Sequence, residues 1–488
     1  MSEIFDMVVI GAGLSGVGAA CRYRTALPDG KLAVIEARDA IGGTWDLFRY
    51  PGIRSDSDML TLGYDFRPWV GDDFLADGPS IRQYVRDTAD EFGVTEMIQF
   101  NSKVMAADFD SQTNLWTLQI ETDGERRELR TRFITSCAGY YSYAEGYTPE
   151  FAGRDDFKGQ IVHPQQWPDD LDYANKRVVV IGSGATAVTL VPKLAESAAH
   201  VTMLQRSPSY VASLPSKDYV GKILNTLLPA KLAFKLNRAK NIKISRMMYD
   251  RAQKDPQKAR DWFRKKTLKA LGKDYPVDTH FNPSYNPWDQ RVCMIPDADL
   301  FEAIKDGRAS VVTDHIERFT DAGISLVSGT KLDADIIVTA TGLNVVFVGD
   351  INASVDGEAI DIANTFGYKG MMFSDVPNFI SVFGYTNASW TLRADLISRF
   401  MVRLLSHMKQ TGAARVTPIA PVDMEQRPWV DFQAGYLMRV MDKLPKQGDR
   451  MPWLNVQDYK HDQVSFMQDP IDDGALVFES AKVSEAAE

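Results

Sequence analysis

The sequence has few of the residues that mark several protein classes. Among its 488 residues are 3 Cys and 6 His. Cys21, Cys137 and Cys293 are far apart and form no CxxC pair, so the pattern predicts neither a disulfide framework nor a metal site. No apolar run reaches the roughly 18 to 20 residues that span a membrane, and no basic segment typical of a signal peptide precedes the first apolar run. We therefore expect a cytoplasmic protein that binds no metal.

The bulk composition is that of a large globular protein. Hydrophobic residues make up 44% of the chain and charged residues 25%, which is enough apolar material for two or three domain cores. The net charge of -10 argues against nucleic acid as a partner.

The first informative pattern is a glycine-rich turn near the N-terminus. An apolar run, FDMVVI (5–10), leads into Gly11-Ala-Gly13-Leu-Ser-Gly16 and then into a helix of small residues. Glycines in this spacing allow a tight turn and close approach of a pyrophosphate. A second apolar run ends in Glu36, whose carboxylate suits a ribose 2′-hydroxyl and disfavours a 2′-phosphate. The pattern predicts a site for FAD or NAD.

A long loop at residues 38–59 follows, rich in Gly, aromatic and charged residues. A long loop inside a compact domain is more often functional than not. Gly43, Thr44 and Trp45 are candidate contacts to the same dinucleotide. Asp56 is a candidate for a charged side chain next to that ligand. The alternative is a solvated loop with ordinary salt bridges.

A second strand, glycine turn and helix begin at RVVVI (177–181). At the place that corresponds to Glu36 stand Arg206 and Ser207, so the charge is reversed. A guanidinium offers a planar set of donors to phosphate oxygens, so we expect NADPH here and FAD at the first site. The turn residues predicted to contact NADPH are Gly182, Gly184 and Ala187.

The stretch FKGQIVHPQQWPD (157–169) lies just before the second glycine turn. Its glycine and prolines disfavour a helix and a central strand, so we predict a rigid joint between two cofactor sites. The alternative is a surface loop in which Trp167 covers a core.

Residues 217–273 are basic within an acidic chain. They contain 17 Lys and Arg against 4 Asp and have helical periodicity, which predicts a helical insertion at about 215–275. Three interpretations stay open: a solvated helical face, a guide for anionic NADPH, and weak association with a membrane surface.

The last part of the chain is predicted to close the second domain and complete the first. KLDADIIVTATGLN (331–344) reads as a buried strand, and Asn387 and Ser389 are candidate caps of a long helix whose N-terminus faces the flavin. The polar end, 477–488, is predicted to be disordered.

Two long fingerprints now support a family resemblance. The pattern FxGxxxHxxxW with a following Pro is matched by Phe157, Gly159, His163, Trp167 and Pro168, and a companion pattern by Gly43, Trp45, Tyr50, Pro51, Gly52 and Asp56. With the two glycine turns, the chain resembles class B flavoprotein monooxygenases, more narrowly Baeyer–Villiger monooxygenases of the prodrug-activating type. The related N- and S-oxygenating enzymes usually have Tyr at the position of Trp167.

The resemblance implies a catalytic role for Arg291, in the Pro- and Asn-rich connector 281–301, with Asp56 orienting it. It implies that NADPH reduces FAD, that O2 gives a C4a-peroxyflavin, and that ketones become esters or lactones, with oxidation of thioether or thioamide sulfur as a second activity. Many members have Lys before this arginine as a further ligand of the 2′-phosphate. Here that residue is Gln290, so the preference for NADPH rests more on Arg206 and Ser207.

The expected fold is α/β with two Rossmann-like dinucleotide-binding domains. An FAD domain is predicted from residues 1–150 and 336–488, and an NADP domain at 151–335 carries the helical insertion. Two alternative functions stay open: a flavin N- or S-monooxygenase with little ketone activity, and a non-catalytic redox sensor that binds FAD and NADP. His163 and Trp167 are expected to couple bound NADP to domain movement. The sequence makes no prediction of oligomeric state.

Overall fold

The computed structural model describes residues 3–71, 74–432 and 434–481. In these ranges two five-stranded sheets carry the fold, and no helix is long and apolar enough to cross a membrane. The described helices are α1 Leu14–Ala26, α2 Thr44–Leu47, α3 Met59–Leu62, α4 Gly78–Glu91, α5 Ala185–Leu194, α6 Tyr219–Leu227, α7 Ala230–Lys254, α8 Pro256–Leu271, α9 Val277–His280, α10 Asp299–Lys305, α11 Trp390–Thr411, α12 Gly435–Met438 and α13 Tyr459–Met467.

The first sheet is built from short apolar runs and is parallel throughout. Its central strands are buried at every residue, as expected when both faces of a parallel sheet are covered. In spatial order its strands are Phe379–Ser381, Ile134–Ser136, Met7–Ile10, Leu32–Ile35 and Ile98–Gln99. A six-stranded sheet packs beside it, in the order Ile4–Phe5, Glu125–Thr131, Leu115–Thr122, Ser102–Asp110, Asn352–Val355 and Glu358–Ala359.

The second sheet is also parallel. Its strand Ile336–Thr339 pairs with strands on both sides. The predicted boundary at residue 335 therefore falls before a strand of the second unit, and the sheet extends that unit to Thr339. In spatial order the strands are Gln160–Val162, Ile336–Thr339, Arg177–Ile181, His200–Gln205 and Ala309–Thr313, and a three-stranded antiparallel sheet adds Ile316–Thr320, Gly323–Leu326 and Lys331–Asp333.

Two features join the units. The strands Tyr141–Gly146 and Leu343–Val345 pair antiparallel where the chain leaves the first unit and returns to it. The loop 38–59 packs onto the second unit, because Tyr50 and Ile53 lie in the second core. Beside them, Arg54 Nη1 donates to Asp299 Oδ2 at 2.7 Å, so this loop is a structural contact between the units.

The predicted helical insertion is present as α6, α7 and α8. After it, the residues expected to form an irregular connector contain the strand Val292–Pro296, which pairs parallel with Tyr210–Leu214. The prediction missed this strand because its hydrogen-bonding partner precedes the whole insertion.

Two predictions for the C-terminal part are wrong. Leu476–Ser480 is a strand paired with Ala413–Pro418, which contradicts the disorder predicted from residue 477 onward, and residues 482–488 lie outside the described ranges. Ser389 is the N-cap residue of α11 but makes no side-chain capping bond, and Asn387 Nδ2 donates to the carbonyl oxygen of Gln457 at 3.0 Å instead. Further paired strands are Gly367–Tyr368 with Met372–Phe373 and Arg427–Pro428 with Lys446–Gln447.

Candidate active site

A cavity of about 510 Å³ lies at the carboxyl ends of the first sheet. Ile10, Ile35, Cys137 and Val382, at or just after the ends of four neighbouring strands, all line it. We call it the dinucleotide cavity, since ligands of open α/β sheets bind at this edge. Predicted residues that line it are Gly11, Gly13, Glu36, Gly43, Thr44, Trp45, Asp56 and Arg291.

The first glycine turn is fixed by close packing. Gly11 has a φ of +98°, and a Cβ there would lie 2.6 Å from the carbonyl oxygen of Cys137. A Cβ on Gly16 would overlap the carbonyl oxygen of Gly11. α1, which is described in full, begins without a side-chain cap and has no acidic residue in its first turn. Its first N–H groups can therefore bind an anion in the cavity.

Glu36 is held at the wall of this cavity by backbone donors. Its Oε2 accepts from the Ala12 N–H at 2.6 Å and its Oε1 from the Arg38 N–H at 2.8 Å. Burial raises the pKa of Glu36, while the two N–H groups act against that rise. Because each carboxylate oxygen can accept more than one hydrogen bond, Glu36 can also accept from a ribose hydroxyl.

The second glycine turn has an open backbone surface. A Cβ on Gly182 would overlap the carbonyl oxygen of Ala340, whereas a Cβ on Gly184 would meet nothing within 4 Å. α5 starts after Gly184 without a side-chain cap. Arg206 and Ser207 directly follow the neighbouring strand and are exposed. The turn and this strand end are tied together, since Ser183 Oγ donates to the carbonyl oxygen of Ser207 at 3.0 Å.

Arg291 and Asp56 meet at the dinucleotide cavity. Arg291 Nη2 lies 3.9 Å from Asp56 Oδ2, with the side chains 44% and 37% exposed. The Asp56 carboxylate raises the pKa of Arg291 well above its ordinary value, and burial acts in the opposite direction. The guanidinium is therefore a fixed positive charge on the cavity wall.

Known proteins match nearly the whole chain. Residues 72–411 match the flavin-binding monooxygenase-like family, and residues 9–69 match an NAD(P)-binding Rossmann-like domain. The chain belongs to the flavin-binding monooxygenase-like family. It is 50% identical over 480 residues to the FAD-containing monooxygenase EthA of Mycobacterium tuberculosis, covering 98% of each chain.

Solved structures of this flavoprotein class are similar in fold. The oxidised steroid monooxygenase bound to NADP has a TM-score of 0.72 and 25% identity, covering 85% of this chain and 88% of that chain. The complex of OTEMO with FAD and NADP has a TM-score of 0.70 and 25% identity, covering 86% and 87%. The predicted family and the predicted pair of Rossmann-like domains are confirmed.

The residues of the FxGxxxHxxxW fingerprint and its following Pro are not among the described residues that line the dinucleotide cavity. Phe157 is buried in the second unit, and a Cβ on Gly159 would overlap the carbonyl oxygen of Asp335. Trp167 packs edge-on to Tyr173 at 6.3 Å between ring centroids, and the following Pro168 is exposed. These contacts are packing contacts within the second unit, and the expected coupling role of Trp167 stays a prediction.

His163 contacts the two strands that join the units. Its Nδ1 accepts from the Gln165 N–H at 3.2 Å, so Nε2 carries the proton and donates to the carbonyl oxygen of Gly342 at 3.1 Å. A Cβ on Gly146 would overlap the imidazole ring. Burial lowers the pKa of His163, so the neutral ring is favoured. The ring contacts the strands that join the units and is not among the described residues that line the dinucleotide cavity.

Aromatic residues line much of the cavity, and two of them, Tyr140 and Trp390, belong to no sequence motif. Tyr140 stacks on Trp390 at 4.9 Å between centroids, and Trp390 Nε1 donates to Ser15 Oγ at 2.9 Å. Burial raises the pKa of Tyr140 well above its ordinary value, so its hydroxyl stays protonated. The available signal was position alone, directly after Ala138 and Gly139, where the chain was expected to pass the cofactor. The other aromatic lining residues are Trp45, Phe48, Tyr50, Tyr141, Tyr143 and Tyr385.

A second cavity of about 360 Å³, the side cavity, shares Arg291 and Asp56 with the first. Asn387 lines it together with residues of α7. Arg206, Ser207 and Gln290 are not among the described residues that line either cavity. Ala187 is fully buried in the second core, so its small side chain serves packing beneath the glycine turn.

Proposed function

We propose that this chain is an FAD-dependent, NADPH-consuming Baeyer–Villiger monooxygenase. It inserts one oxygen atom of O2 into a ketone to give an ester or lactone, and it oxidises thioether or thioamide sulfur as a second reaction. The observation that carries the proposal is the Arg291–Asp56 pair, which lines both cavities.

The dinucleotide cavity suits FAD. Glu36 can accept from the adenosine ribose, and the N-terminus of α1 with the turn at Gly11 and Gly13 can bind the pyrophosphate. Only glycine fits at position 11, and the backbone of this turn forms part of the cavity wall, where a pyrophosphate can approach it closely.

The second glycine turn suits NADPH. The N-terminus of α5 is available to the pyrophosphate, and the open surface at Gly184 allows close approach of a ligand. Arg206 and Ser207 supply donors for the 2′-phosphate. The solved relatives OTEMO and steroid monooxygenase are described with NADP bound.

FAD reduced by NADPH supplies the activation of O2. Arg291 places its guanidinium where the oxygen of the reacting ketone becomes negative, which lowers the energy of that charge. Asp56 fixes the position of the guanidinium. Met294, which lines both cavities, adds apolar surface that keeps water from the reacting atoms.

Product analysis by mass spectrometry tests the proposal. The FAD-loaded enzyme is given a panel of cyclic ketones and thioethers with NADPH or NADH under isotope-labelled O2. We expect a lactone that contains one labelled atom. Sulfoxide without lactone would assign the chain to the N- and S-oxygenating branch. Binding of FAD and NADPH without substrate-stimulated NADPH oxidation would indicate a redox sensor.

A further inference from the structure

The outer face of α6 and α7 is apolar and exposed. On α6, Tyr219, Ile223 and Leu227 are 71%, 58% and 73% exposed, and on α7, Leu232 and Leu236 are 45% and 44% exposed. Spacing by four residues places each set on one side of its helix. α6 and α7 contact each other, and a cluster of exposed apolar side chains marks a site of interaction. We call it the α6–α7 face.

The inward face of α7 is only partly apolar, with Ala233 and Phe234 buried beside several polar residues. Its inward residues include Asn237, Arg238 and Asn241, all buried. Arg238 donates to the carbonyl oxygen of Gly63 at 2.8 Å, and Asn241 donates to Asp58 at 2.9 Å. Polar contacts thus help to hold α7 on the first unit, while Leu232 and Leu236 keep 45% and 44% of their surface exposed. Their free energy of burial is available to another apolar phase.

Positive charge borders the α6–α7 face. Residues 217–247 contain eight Lys and Arg and one Asp, and that residue, Asp218, already pairs with Lys240. Exposed lysines without an ion-pair partner in the described part of the chain are Lys217, Lys222, Lys231, Lys235 and Lys243. An apolar helical face with lysines at its edges is complementary to an anionic lipid surface, because each cation near that surface adds to the attraction.

The side cavity is lined in part by the same two helices. Val220 and Ile244, which are 56% and 44% exposed, line the side cavity together with Arg291 and Asp56. We propose that the α6–α7 face docks on an anionic lipid bilayer and that a long-chain, water-insoluble ketone or sulfide enters the side cavity from the bilayer. Docking stands on the surface alone, whereas delivery of substrate rests on the proposed function.

Vesicle co-sedimentation of the FAD-loaded full chain tests docking. We expect binding to vesicles that contain phosphatidylglycerol and little binding to pure phosphatidylcholine. The double variants Ile223→Ser/Leu227→Ser and Lys231→Glu/Lys235→Glu, at positions that line neither cavity, should each weaken binding about tenfold or more. The matched controls Val327→Ser/Val422→Ser and Lys331→Glu/Lys409→Glu, exposed elsewhere, should bind like the wild type.

Two results would overturn docking. One is binding that ignores both the anionic lipid and the α6–α7 variants. The other is a wild type that binds no vesicles but forms a dimer in sedimentation velocity, with the Ile223→Ser/Leu227→Ser variant monomeric. That result would assign the face to a second copy of the chain.

Steady-state kinetics test delivery. In the Ile223→Ser/Leu227→Ser variant we expect KM for a long-chain ketone presented in anionic vesicles to rise about tenfold, with kcat and KM for a short, water-soluble cyclic ketone unchanged. Equal KM values for the vesicle substrate would overturn delivery. An enzyme that binds vesicles but oxidises neither ketone nor sulfide would defeat the proposed function and leave docking intact.

Discussion

Arg291 and Asp56 approach each other across the two units, with Nη2 and Oδ2 3.9 Å apart. Asp56 comes from the loop whose Tyr50 and Ile53 pack in the second core, and Arg291 immediately precedes a strand of the second unit. The separation is longer than a hydrogen bond. In the proposed function, Arg291 therefore keeps its donors for a reacting oxygen, while the nearby carboxylate holds the guanidinium in place.

Arg291→Ala should strongly slow ketone oxidation without removing FAD. In the proposed function the guanidinium supplies a fixed charge at the reacting oxygen, and loss of one such group typically costs about 10²- to 10³-fold in kcat. We expect this loss in lactone formation, with an unchanged flavin absorption spectrum. Full lactone formation by the variant would contradict the assigned role.

Asp56→Asn is the matched test of positioning. The amide keeps the size of the side chain but removes the charge that holds Arg291, so kcat should fall by less than in Arg291→Ala. The double variant Arg291→Ala/Asp56→Asn should be no slower than Arg291→Ala, because the two residues act as a unit. A further additive loss would show that Asp56 acts independently.

Arg206→Ala should shift the preference between the two nicotinamide cofactors. A charge-assisted hydrogen bond contributes about 1.5 to 3 kcal/mol, so KM for NADPH should rise about 10- to 100-fold, and KM for NADH should stay constant. Gln290→Lys is the opposite test, since it adds a cation, and we expect a lower KM for NADPH. Equal effects on both cofactors would rule out recognition of the 2′-phosphate by Arg206.

The sequence predicted those features of the fold that depend on short stretches of chain. Both glycine turns, the strands before them and the helical insertion follow from local spacing and periodicity. The strand Val292–Pro296 did not follow, because its partner Tyr210–Leu214 lies before the insertion. Leu476–Ser480 was missed for the same reason, since a polar terminal segment becomes a strand by pairing with Ala413–Pro418.

In the candidate site, too, residues close to a motif were predicted and residues brought together from distant segments were not. Glu36 and Arg206 were placed by their distance from a glycine turn, but the stacked Tyr140 and Trp390 come from chain segments on either side of the second unit. No local pattern separates a tyrosine that lines a cavity from one that fills a core. Tyr50 belongs to a sequence fingerprint, but the fingerprint did not predict that this residue packs in the second core.

The lowered pKa of His163 predicts that the free energy of unfolding depends on pH through the contacts between the two units. Its pKa is lowered by burial below the ordinary value of 6.5, so the folded protein favours the neutral ring. That contribution to stability is present above 6.5 and is lost as pH falls through the lowered pKa, by at most about 1.4 kcal/mol per pH unit. We expect His163→Asn to lower Tm at neutral pH, and the difference from the wild type to shrink in acid.

The same variant separates coupling from packing. If His163 couples bound NADP to the link, His163→Asn should slow flavin reduction by NADPH in stopped-flow absorbance while leaving FAD bound. A change in Tm with unchanged NADPH affinity and unchanged reduction rate would assign His163 to packing alone. A constant Tm difference across the pH range would contradict the titration of this ring.

A buried ion pair behind the side cavity gives a prediction for stability. Arg393 Nε lies 3.3 Å from Asp462 Oδ2, with side chains 1% and 3% exposed, and Tyr385, which lines both cavities, donates its hydroxyl proton to the same carboxylate oxygen at 2.8 Å. Asp462→Ala leaves the guanidinium buried without its counter-charge, which costs about 3 to 5 kcal/mol. Calorimetry should show a large fall in Tm, in contrast to Glu302→Ala at the exposed Lys305–Glu302 pair. The double variant Asp462→Leu/Arg393→Met leaves no unpaired buried charge, so it should be more stable than Asp462→Ala. A double variant no more stable than Asp462→Ala would show that the unpaired guanidinium does not cause the loss.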